Sequence, residues 1–209
     1  MKNYIDRIMP PLLDEEKIFL KQRKTTSAKQ TKQSVIVGTT GEYEVASYLL
    51  TQGKLLSKPS VDHGIDWMVY HIDNPRKTEL AQVKEIYRID EDSKATKEIG
   101  LYAFQFQSGG HLNRRKNNRD SVDVYYATFV TPYRCLIFEI PSTDVPVNER
   151  NNLVVAKKTK LDESYSYTGP KPDMCFKDYL VRKWYDDKIV QTYPSFFKEK
   201  NTLSQFIES

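Results

Sequence analysis

The stretch between residues 39 and 86 most limits how this chain can fold, because its apolar spacing changes there from a helical to a strand pattern. Val45, Ala46 and Leu49 recur at intervals of three and four residues, which predicts a helix over Thr39–Gln52. Three short segments follow, separated by polar or proline-containing turns, and each is predicted to be a strand. These segments are Lys54–Ser57, Ile65–Ile72 and Glu79–Ile86.

Further elements are predicted on both sides of this stretch. Val122–Val130 and Cys135–Ile140 are rich in Val, Ile, Tyr and Phe, which favours strands. The segment Pro11–Gln22 is amphipathic, with acids near its start, and is predicted to be a short helix. Phe176–Val190 and Ser195–Ile207 are predicted to be helical, the second with Ser195 as its cap. The expected fold class is α/β.

The composition is that of a globular protein. With 209 residues, of which 39% are hydrophobic and 29% charged, the chain can form one domain with a full core. No run approaches the roughly 18 apolar residues of a membrane span, and the N-terminus lacks the apolar block of a signal peptide. Cys135 and Cys175 are isolated, so neither a disulfide framework nor a thiolate zinc site is indicated. We expect an intracellular protein with no membrane partner.

The basic charge is concentrated near the N-terminus. Residues 1–34 contain eight Lys or Arg and four acids, so they carry the whole net charge of +4. Arg23–Ser34 has no apolar periodicity and is predicted to be a basic arm. A basic segment favours a polyanionic partner such as nucleic acid, although charge runs are more often solvated surface. The predicted organisation is an N-terminal helix and basic arm (1–34), a core (35–140) and a C-terminal extension (141–209).

Glu42 is the first of four polar residues at positions where the apolar pattern predicts core. On the helix predicted from Thr39, it shares a face with Val45, Ala46 and Leu49, where a carboxylate needs a partner. There is an alternative, because Thr39-Thr40-Gly41-Glu42 also fits a capping box in which Glu42 binds only the backbone amide of Thr39.

Asp66 is the second. The residues around it are apolar or aromatic on both faces of the predicted strand, and a carboxylate within such a strand is unfavourable unless it is paired or bound to a cation. The alternative is that Asp66 lies at the strand edge and caps the preceding turn.

Gln82 and Lys84 are the third and fourth. Alternation along the strand sends both to one face, while Ala81 and Val83 point to the other. If the strands of Asp66 and Lys84 pair as a hairpin, Asp66, Gln82 and Lys84 converge, and the preceding helix can bring Glu42 over them. Carboxylate, amide and main-chain oxygens form a hard site suited to Mg²⁺ or Mn²⁺. A lysine beside such a metal can orient the attacking water or neutralise charge on a phosphate.

In this order and spacing, the chain resembles the PD-(D/E)XK nuclease superfamily, which includes restriction enzymes, archaeal Holliday-junction resolvases and Mrr-type enzymes. The resemblance covers about residues 38 to 86, with a weaker echo around Asp123–Val130. The matching residues are Gly41-Glu42, Val45-Ala46 and Leu49, then Asp62-x-Gly64-Ile65-Asp66, then Gln82-Val83-Lys84. The resemblance implies a restriction-endonuclease-like core, with a mixed sheet flanked by helices, and metal-dependent hydrolysis of DNA.

The same resemblance implies a role for each of the four residues. Asp66 and Gln82 would bind the metal, Glu42 would support it, and Lys84 would be the catalytic lysine. The sequence differs from much of the superfamily at Gln82, where Glu or Asp is usual, but Q-x-K also occurs in Mrr-like members. An amide still offers an oxygen ligand, with less negative charge.

DNA contacts are predicted from two basic segments. The loop from His111 to Arg119 contains Arg114, Arg115, Lys116 and Arg119, and follows a Gly109-Gly110 hinge. Together with the arm that carries Lys24 and Lys29, this loop can hold a DNA backbone, and a solvated mobile loop is the alternative. A homodimer is the simplest way to cut both strands.

A second function class stays open. A non-catalytic nucleic-acid-binding module on the same fold is compatible with Gln82 and Glu42. A metabolic α/β enzyme lacks support, since the sequence contains no P-loop, no GxGxxG and no nucleophile elbow. We therefore expect no small-molecule cofactor. Substrate structure, whether junction or sequence-specific duplex, does not follow from these motifs.

Overall fold

A mixed sheet forms the centre of the described part of the chain. The computed structural model describes residues 10–22, 32–60, 64–88, 102–104, 122–145, 156–159, 164–165 and 174–198. The strands within these ranges are β1 (Lys54–Ser57), β2 (Trp67–His71), β3 (Asn74–Glu85), β4 (Tyr87–Arg88), β5 (Tyr102–Phe104), β6 (Val124–Thr131), β7 (Arg134–Pro141), β8 (Ala156–Thr159), β9 (Ser164–Tyr165), β10 (Met174–Cys175) and β11 (Leu180–Tyr185). The helices are α1 (Asp14–Gln22), α2 (Lys32–Thr51), α3 (Asp187–Thr192) and α4 (Pro194–Lys198).

Six of these strands make the central sheet, in the order β1-β2-β3-β6-β7-β11. β3 and β6 run parallel, and the other neighbours run antiparallel, so the sheet is mixed as predicted. Short strands form two smaller ladders, β4-β5-β8 and β9-β10. None of the helices that the structure describes is both long and apolar enough to cross a membrane.

Alternate residues of β6 belong to two different hydrophobic clusters, because successive side chains of a strand point to opposite faces. Tyr125, Ala127 and Phe129 pack in a cluster that includes Leu12 and Leu20, which we call the α1-side core. Val124, Tyr126 and Val130 pack in a second cluster with Val37, Val45 and Leu49, which we call the α2-side core. Both faces of the sheet are therefore buried along β6.

The parallel pairing of β3 with β6 fixes the orientation of the predicted site strand. Gln82 lies beside Tyr125, and Lys84 beside Ala127, so both belong to the α1 side of the sheet. Ala81 and Val83 pack in the α2-side core. The prediction that Gln82 and Lys84 share one face is confirmed.

Helix α2 begins at Lys32, seven residues before the predicted start at Thr39 and within the predicted arm. The run Val35-Ile36-Val37 has low intrinsic helix propensity, which is why the sequence alone does not favour a helix there. Val37, however, is buried in the α2-side core, and Thr40 donates a hydrogen bond to the Ile36 carbonyl within the helix. Burial of Val37 thus favours the longer helix.

The prediction of a helix over Phe176–Val190 is wrong. A 3₁₀ turn over Phe176–Tyr179 leads into β11, which pairs with β7, and only Asp187–Thr192 is α-helical. The local composition of β11 is compatible with a helix, but its main-chain groups pair with those of β7. The helix predicted from Ser195 begins at Pro194 instead, where proline's fixed φ suits a first helical position. The described residues of the C-terminal extension are thus part sheet and part helix, and residues 199–207 of the predicted helix lie outside them.

A buried ion pair attaches α1 to the far end of the β6–β7 hairpin. Glu16 and Arg134 have no exposed side-chain surface, and Arg134 Nη2 lies 2.6 Å from Glu16 Oε2. Arg134 Nε donates to the other carboxylate oxygen at 2.7 Å, which makes the pair bidentate. Two further guanidinium hydrogens bind the carbonyls of Pro10 and Pro11. Four of the five guanidinium hydrogens thus have acceptors, and the pair positions the N-terminal segment against the sheet.

Replacing Arg134 by Met should destabilise the protein strongly, because the Glu16 carboxylate would stay buried without its partner. We expect the free energy of unfolding to fall by about 3–5 kcal/mol, measured by urea denaturation. Lys188→Met is the matched control. It removes an ammonium that lies 2.6 Å from the exposed carboxylate of Glu15, the neighbour of Glu16 in α1. That change should leave stability nearly unaltered. Similar losses in the two variants would contradict the assigned importance of the buried pair.

Gly41 allows α2 to approach β6 closely. A Cβ at this position would lie 2.6 Å from Thr128 Oγ1, and Thr128 is buried. A side chain there requires the helix or the strand to move. The glycine of the Gly41-Glu42 motif therefore has a packing role, independent of any chemistry at Glu42.

We expect Gly41→Ala to lower the free energy of unfolding by about 1–3 kcal/mol through overpacking. Gly38→Ala, three residues earlier in α2, should raise it by about 0.5–1 kcal/mol, because alanine is the better helix former. No described atom outside its own helix lies within 4 Å of a Cβ at Gly38. Thermal or urea unfolding of both variants measures the difference, and a stabilised Gly41→Ala variant would refute the close contact.

Candidate active site

Strand β2 separates from β3 at Asp66. Trp67, the first residue of β2, pairs with Ala81. The Asp66 amide still donates to the Ala81 carbonyl at 2.9 Å, but the next acceptor is the Asp66 side chain, whose Oδ2 accepts from the Val83 amide at 2.6 Å. The carboxylate thus replaces a main-chain acceptor of the missing strand. It is held beside β3 at the point where the ladder opens.

Gln82 lies in the same opening and is buried, with 1% of its surface exposed. Its side-chain nitrogen Nε2 donates a short hydrogen bond to the Gly64 carbonyl. Because a carbonyl can only accept, this bond fixes which end of the amide faces Gly64, and Oε1 must point elsewhere. Gln82 Oε1 is buried and accepts no hydrogen bond from the part of the chain that the structure describes. An unsatisfied buried acceptor of this kind is unfavourable by about 1–3 kcal/mol.

Gly64 shapes the loop that receives Gln82. Its φ of +79° is in the left-handed region, which residues with a Cβ rarely adopt. A Cβ there would also lie 3.1 Å from Gln82 Nε2. The glycine of the Gly64-Ile65-Asp66 motif is therefore needed both for the turn and for the approach of the Gln82 amide.

Lys84 follows Gln82 on the α1 side of the sheet and is partly buried. Beside Gln82 in the neighbouring strand is Tyr125, and burial raises the pKa of its phenol to about 12. The phenol therefore stays neutral at physiological pH. Of the two residues that sequence analysis singled out on this strand, Gln82 and Lys84, only Lys84 carries a charge.

Glu42 lies on the other side of the sheet, on the helix that contributes to the α2-side core. Thr39 is inside α2 and cannot cap it, so the capping-box alternative is wrong. Among the described residues, Glu42 hydrogen-bonds to Lys58, whose Nζ lies 2.8 Å from Oε2, and to none of Asp66, Gln82 and Lys84. Sequence analysis missed Lys58, because a lysine just after a short strand carries no distinguishing pattern.

Lys58 connects the two carboxylates electrostatically. The hydrogen bond that Lys58 donates to Glu42, helped by the charges of Glu42, Tyr43 and Asp66, raises the pKa of Lys58 above its ordinary value, although partial burial opposes this. Its ammonium lies 4.9 Å from the centre of the Trp67 ring and 5.8 Å from that of Tyr43. The Gln82 amide thus belongs to the α1 side of the sheet, and the Lys58 ammonium lies over Trp67 on the α2 side.

The described residues contain no group of three or more His, Cys, Asp or Glu side chains placed to hold a metal ion. A cation at this opening would therefore depend on Asp66 together with amide and main-chain oxygens. The predicted DNA contacts Arg114, Arg115, Lys116, Arg119, Lys24 and Lys29, and the motif residue Asp62, lie outside the described residues.

Comparison with known proteins finds a likeness in structure but none in sequence. No family model and no curated protein sequence matches the chain. Among solved structures, the chain is similar to the bacterial homing endonuclease I-Ssp6803I, at 17% sequence identity and a TM-score of 0.39. The match covers 50% of this chain and spans 66% of the length of that one.

Replacing Gly64 by Ala tests the contact with Gln82. We expect this variant to lose more stability than Gly53→Ala, which also has a positive φ, of +72°, but has no described atom within 4 Å of the added Cβ. Both variants should lose about 1–2 kcal/mol from the left-handed backbone, and only Gly64→Ala should also displace the Gln82 amide. Urea denaturation measures the difference, and equal losses would contradict the proposed contact.

Proposed function

We propose that this chain is a divalent-metal-dependent endonuclease that hydrolyses phosphodiester bonds of DNA. The observation that carries the proposal is the buried Oε1 of Gln82, which accepts no hydrogen bond from the described residues and lies at the separation of β2 and β3 where the Val83 amide also holds the Asp66 carboxylate. An acceptor in that state gains from a cation, because metal coordination removes the penalty of leaving it unpaired.

The donor atoms fit Mg²⁺ or Mn²⁺. Asp66 Oδ2 accepts from Val83, but a carboxylate has about four lone-pair positions and can bind a cation at the same time. Gln82 adds an amide oxygen, and the open ladder adds main-chain carbonyls. These are hard oxygen ligands, which both cations prefer. A bound divalent cation would polarise the phosphate and lower the pKa of a coordinated water.

Lys84 has a role that depends on the strand register. It lies on the same face of β3 as Gln82, so its ammonium is on the side of the sheet where Gln82 Oε1 would bind the cation. A positive charge there can stabilise the negative charge that develops on a phosphate during hydrolysis, or orient the attacking water. In this proposal Asp66 and Gln82 hold and align the cation, while Lys84 contributes a positive charge.

DNA is the proposed substrate because of charge and resemblance. The basic segments at residues 1–34 and 111–119 can bind a phosphate backbone, and their contribution falls as salt rises. The PD-(D/E)XK resemblance supports a junction-resolving or a restriction-like activity, acting as a homodimer when both strands are cut. Glu42 would support the site indirectly, through Lys58.

A specific observation favours a second candidate, a DNA-binding module without catalysis. Gln82 supplies an oxygen without a charge, and Glu42 is hydrogen-bonded to Lys58. The metal site would then contain one negatively charged ligand, the Asp66 carboxylate. Such a protein would bind DNA in a salt-sensitive manner and would not cleave it.

A cleavage panel distinguishes the two candidates. Wild-type protein is incubated with linear duplex, supercoiled plasmid, single strand and a four-way junction, in Mg²⁺, Mn²⁺ or EDTA. We expect cleavage of at least one substrate with metal and none in EDTA. Lys84→Met should lower the cleavage rate by about 10²–10³-fold, as removal of one electrostatic group does, while DNA affinity changes little. Lys77→Met, which removes a lysine paired with Glu79 at 2.9 Å, is the control and should cleave normally.

A further variant tests the metal ligand. Gln82→Ala removes the proposed oxygen ligand and should raise the Mn²⁺ concentration needed for half-maximal cleavage by about tenfold or more. Binding without cleavage under every condition would refute the nuclease and leave the binding module. Cleavage that is independent of Lys84 would instead refute the assigned role of that residue.

A further inference from the structure

The loop before β2 is attached to β3 by three consecutive hydrogen bonds, two of which use side chains. The Asp66 amide donates to the Ala81 carbonyl at 2.9 Å, and the Asp66 carboxylate accepts from the Val83 amide at 2.6 Å. Between these two positions, the Gln82 side chain donates from Nε2 to the Gly64 carbonyl. Asp66 thus contributes a side-chain acceptor to this contact, and Gln82 contributes a side-chain donor.

The Gly64 carbonyl limits which side chains fit at position 82. A carbonyl oxygen can only accept, so the atom that faces it must be a donor. A carboxamide has a donor at one end and an acceptor at the other, whereas an ionised carboxylate has acceptors only. Gln82 is 1% exposed, so a carboxylate in its place would be buried against the carbonyl oxygen with little water to screen it. The Gly64 loop therefore favours an amide over an acid.

The other end of the same amide is open to a ligand. Gln82 Oε1 is buried and accepts no hydrogen bond from the residues that the structure describes. Because Nε2 is bound to Gly64, the amide cannot exchange its two ends to find a donor for Oε1 without losing that bond. The approach is also close, since a Cβ on Gly64 would lie 3.1 Å from Nε2. One end of the amide is thus bound to the loop, and the other end can accept a cation.

We propose that the Gly64 carbonyl is a positioning group of the metal site, which selects an amide at position 82 and turns its oxygen toward the cation. This inference rests on the proposed function, since the cation is the one assigned to Asp66 and Gln82. Glu or Asp, which are usual at this position in the superfamily that the chain resembles, could bind the cation but could not donate to Gly64. The neutral residue at position 82 then follows from the loop, and it is not a sign of a lost metal site.

Gln82→Glu tests the selection without any nuclease assay. In EDTA, the Tm of this variant should be lower than that of the wild type by about 5–10 °C, because the carboxylate is buried against Gly64. Gln52→Glu is the matched control, the same change at an exposed residue just after α2, and should shift the Tm by about 2 °C or less. Mn²⁺ binding is then followed by electron paramagnetic resonance of the free ion. Gln82→Glu should bind Mn²⁺ no more tightly than the wild type, although a freely accommodated extra charge would tighten binding by about tenfold or more.

A second measurement uses the wild-type protein and decides the matter if Gln82→Glu does not fold. In nuclear magnetic resonance spectra, one of the two Nε2 hydrogens of Gln82 should exchange slowly with solvent, because it is held by the Gly64 carbonyl. Addition of Mg²⁺ should shift the resonance of the Gln82 Cδ carbon, which carries Oε1, while the slow exchange persists. The missing signals of Gln82→Met assign both resonances.

The outcomes separate this inference from the proposed function. A Gln82→Glu variant with the wild-type Tm, or with Mn²⁺ binding about tenfold tighter, would overturn selection by Gly64. Fast exchange of both Nε2 hydrogens would overturn it as well. Absence of Mn²⁺ binding by the wild type, with no effect of Mg²⁺ on Cδ, would overturn the metal site itself. In that case, the Tm values in EDTA would still decide whether Gly64 requires a donor at position 82.

Discussion

The hydrogen bond from the Val83 amide to the Asp66 carboxylate is the interaction on which the candidate site depends. A strand that leaves its neighbour exposes main-chain donors that must find other acceptors. Just before the start of β2, a side-chain oxygen takes that role, so the Val83 amide of β3 stays bonded while the space beside it opens. The same opening admits the Gln82 amide to the Gly64 carbonyl. A charged group is thus fixed at the end of the ladder by the bonding of the sheet itself.

Much of the sheet could be predicted from the sequence, because β2, β3, β6 and β7 are rich in strand-forming residues and are separated by clear turns. The shared face of Gln82 and Lys84 followed from alternation alone. The strand β11 was predicted as a helix and could not be recognised from its local sequence. Its partner β7 is about 40 residues earlier in the chain and supplies the hydrogen bonds that decide its structure. The early start of α2 likewise depends on burial of Val37 rather than on propensity.

The side chains of the site were predicted less completely. Asp66 and Gln82 were identified because polar residues interrupt an apolar pattern, and that signal is local. Lys58 gave no such signal, because its partner Glu42 is 16 residues away and the Trp67 ring under its ammonium lies in β2. Glu16 was interpreted as one of several acids at a helix start, although it is buried against Arg134. Pairings between distant elements are invisible to an analysis of neighbouring residues.

The distance along the chain between Glu16 and Arg134 has a consequence for synthesis. The two residues are separated by 118 positions, so the acid leaves the ribosome long before its partner exists. At a rate of about 5–20 residues per second, α1 waits for several seconds with its buried face in water. The buried ion pair can form only after Arg134 has been made, so it cannot hold α1 before then. A nascent chain that stalls before Arg134 has the α1 segment without the partner that buries it, and nine residues alone are too short to keep a stable helix in water.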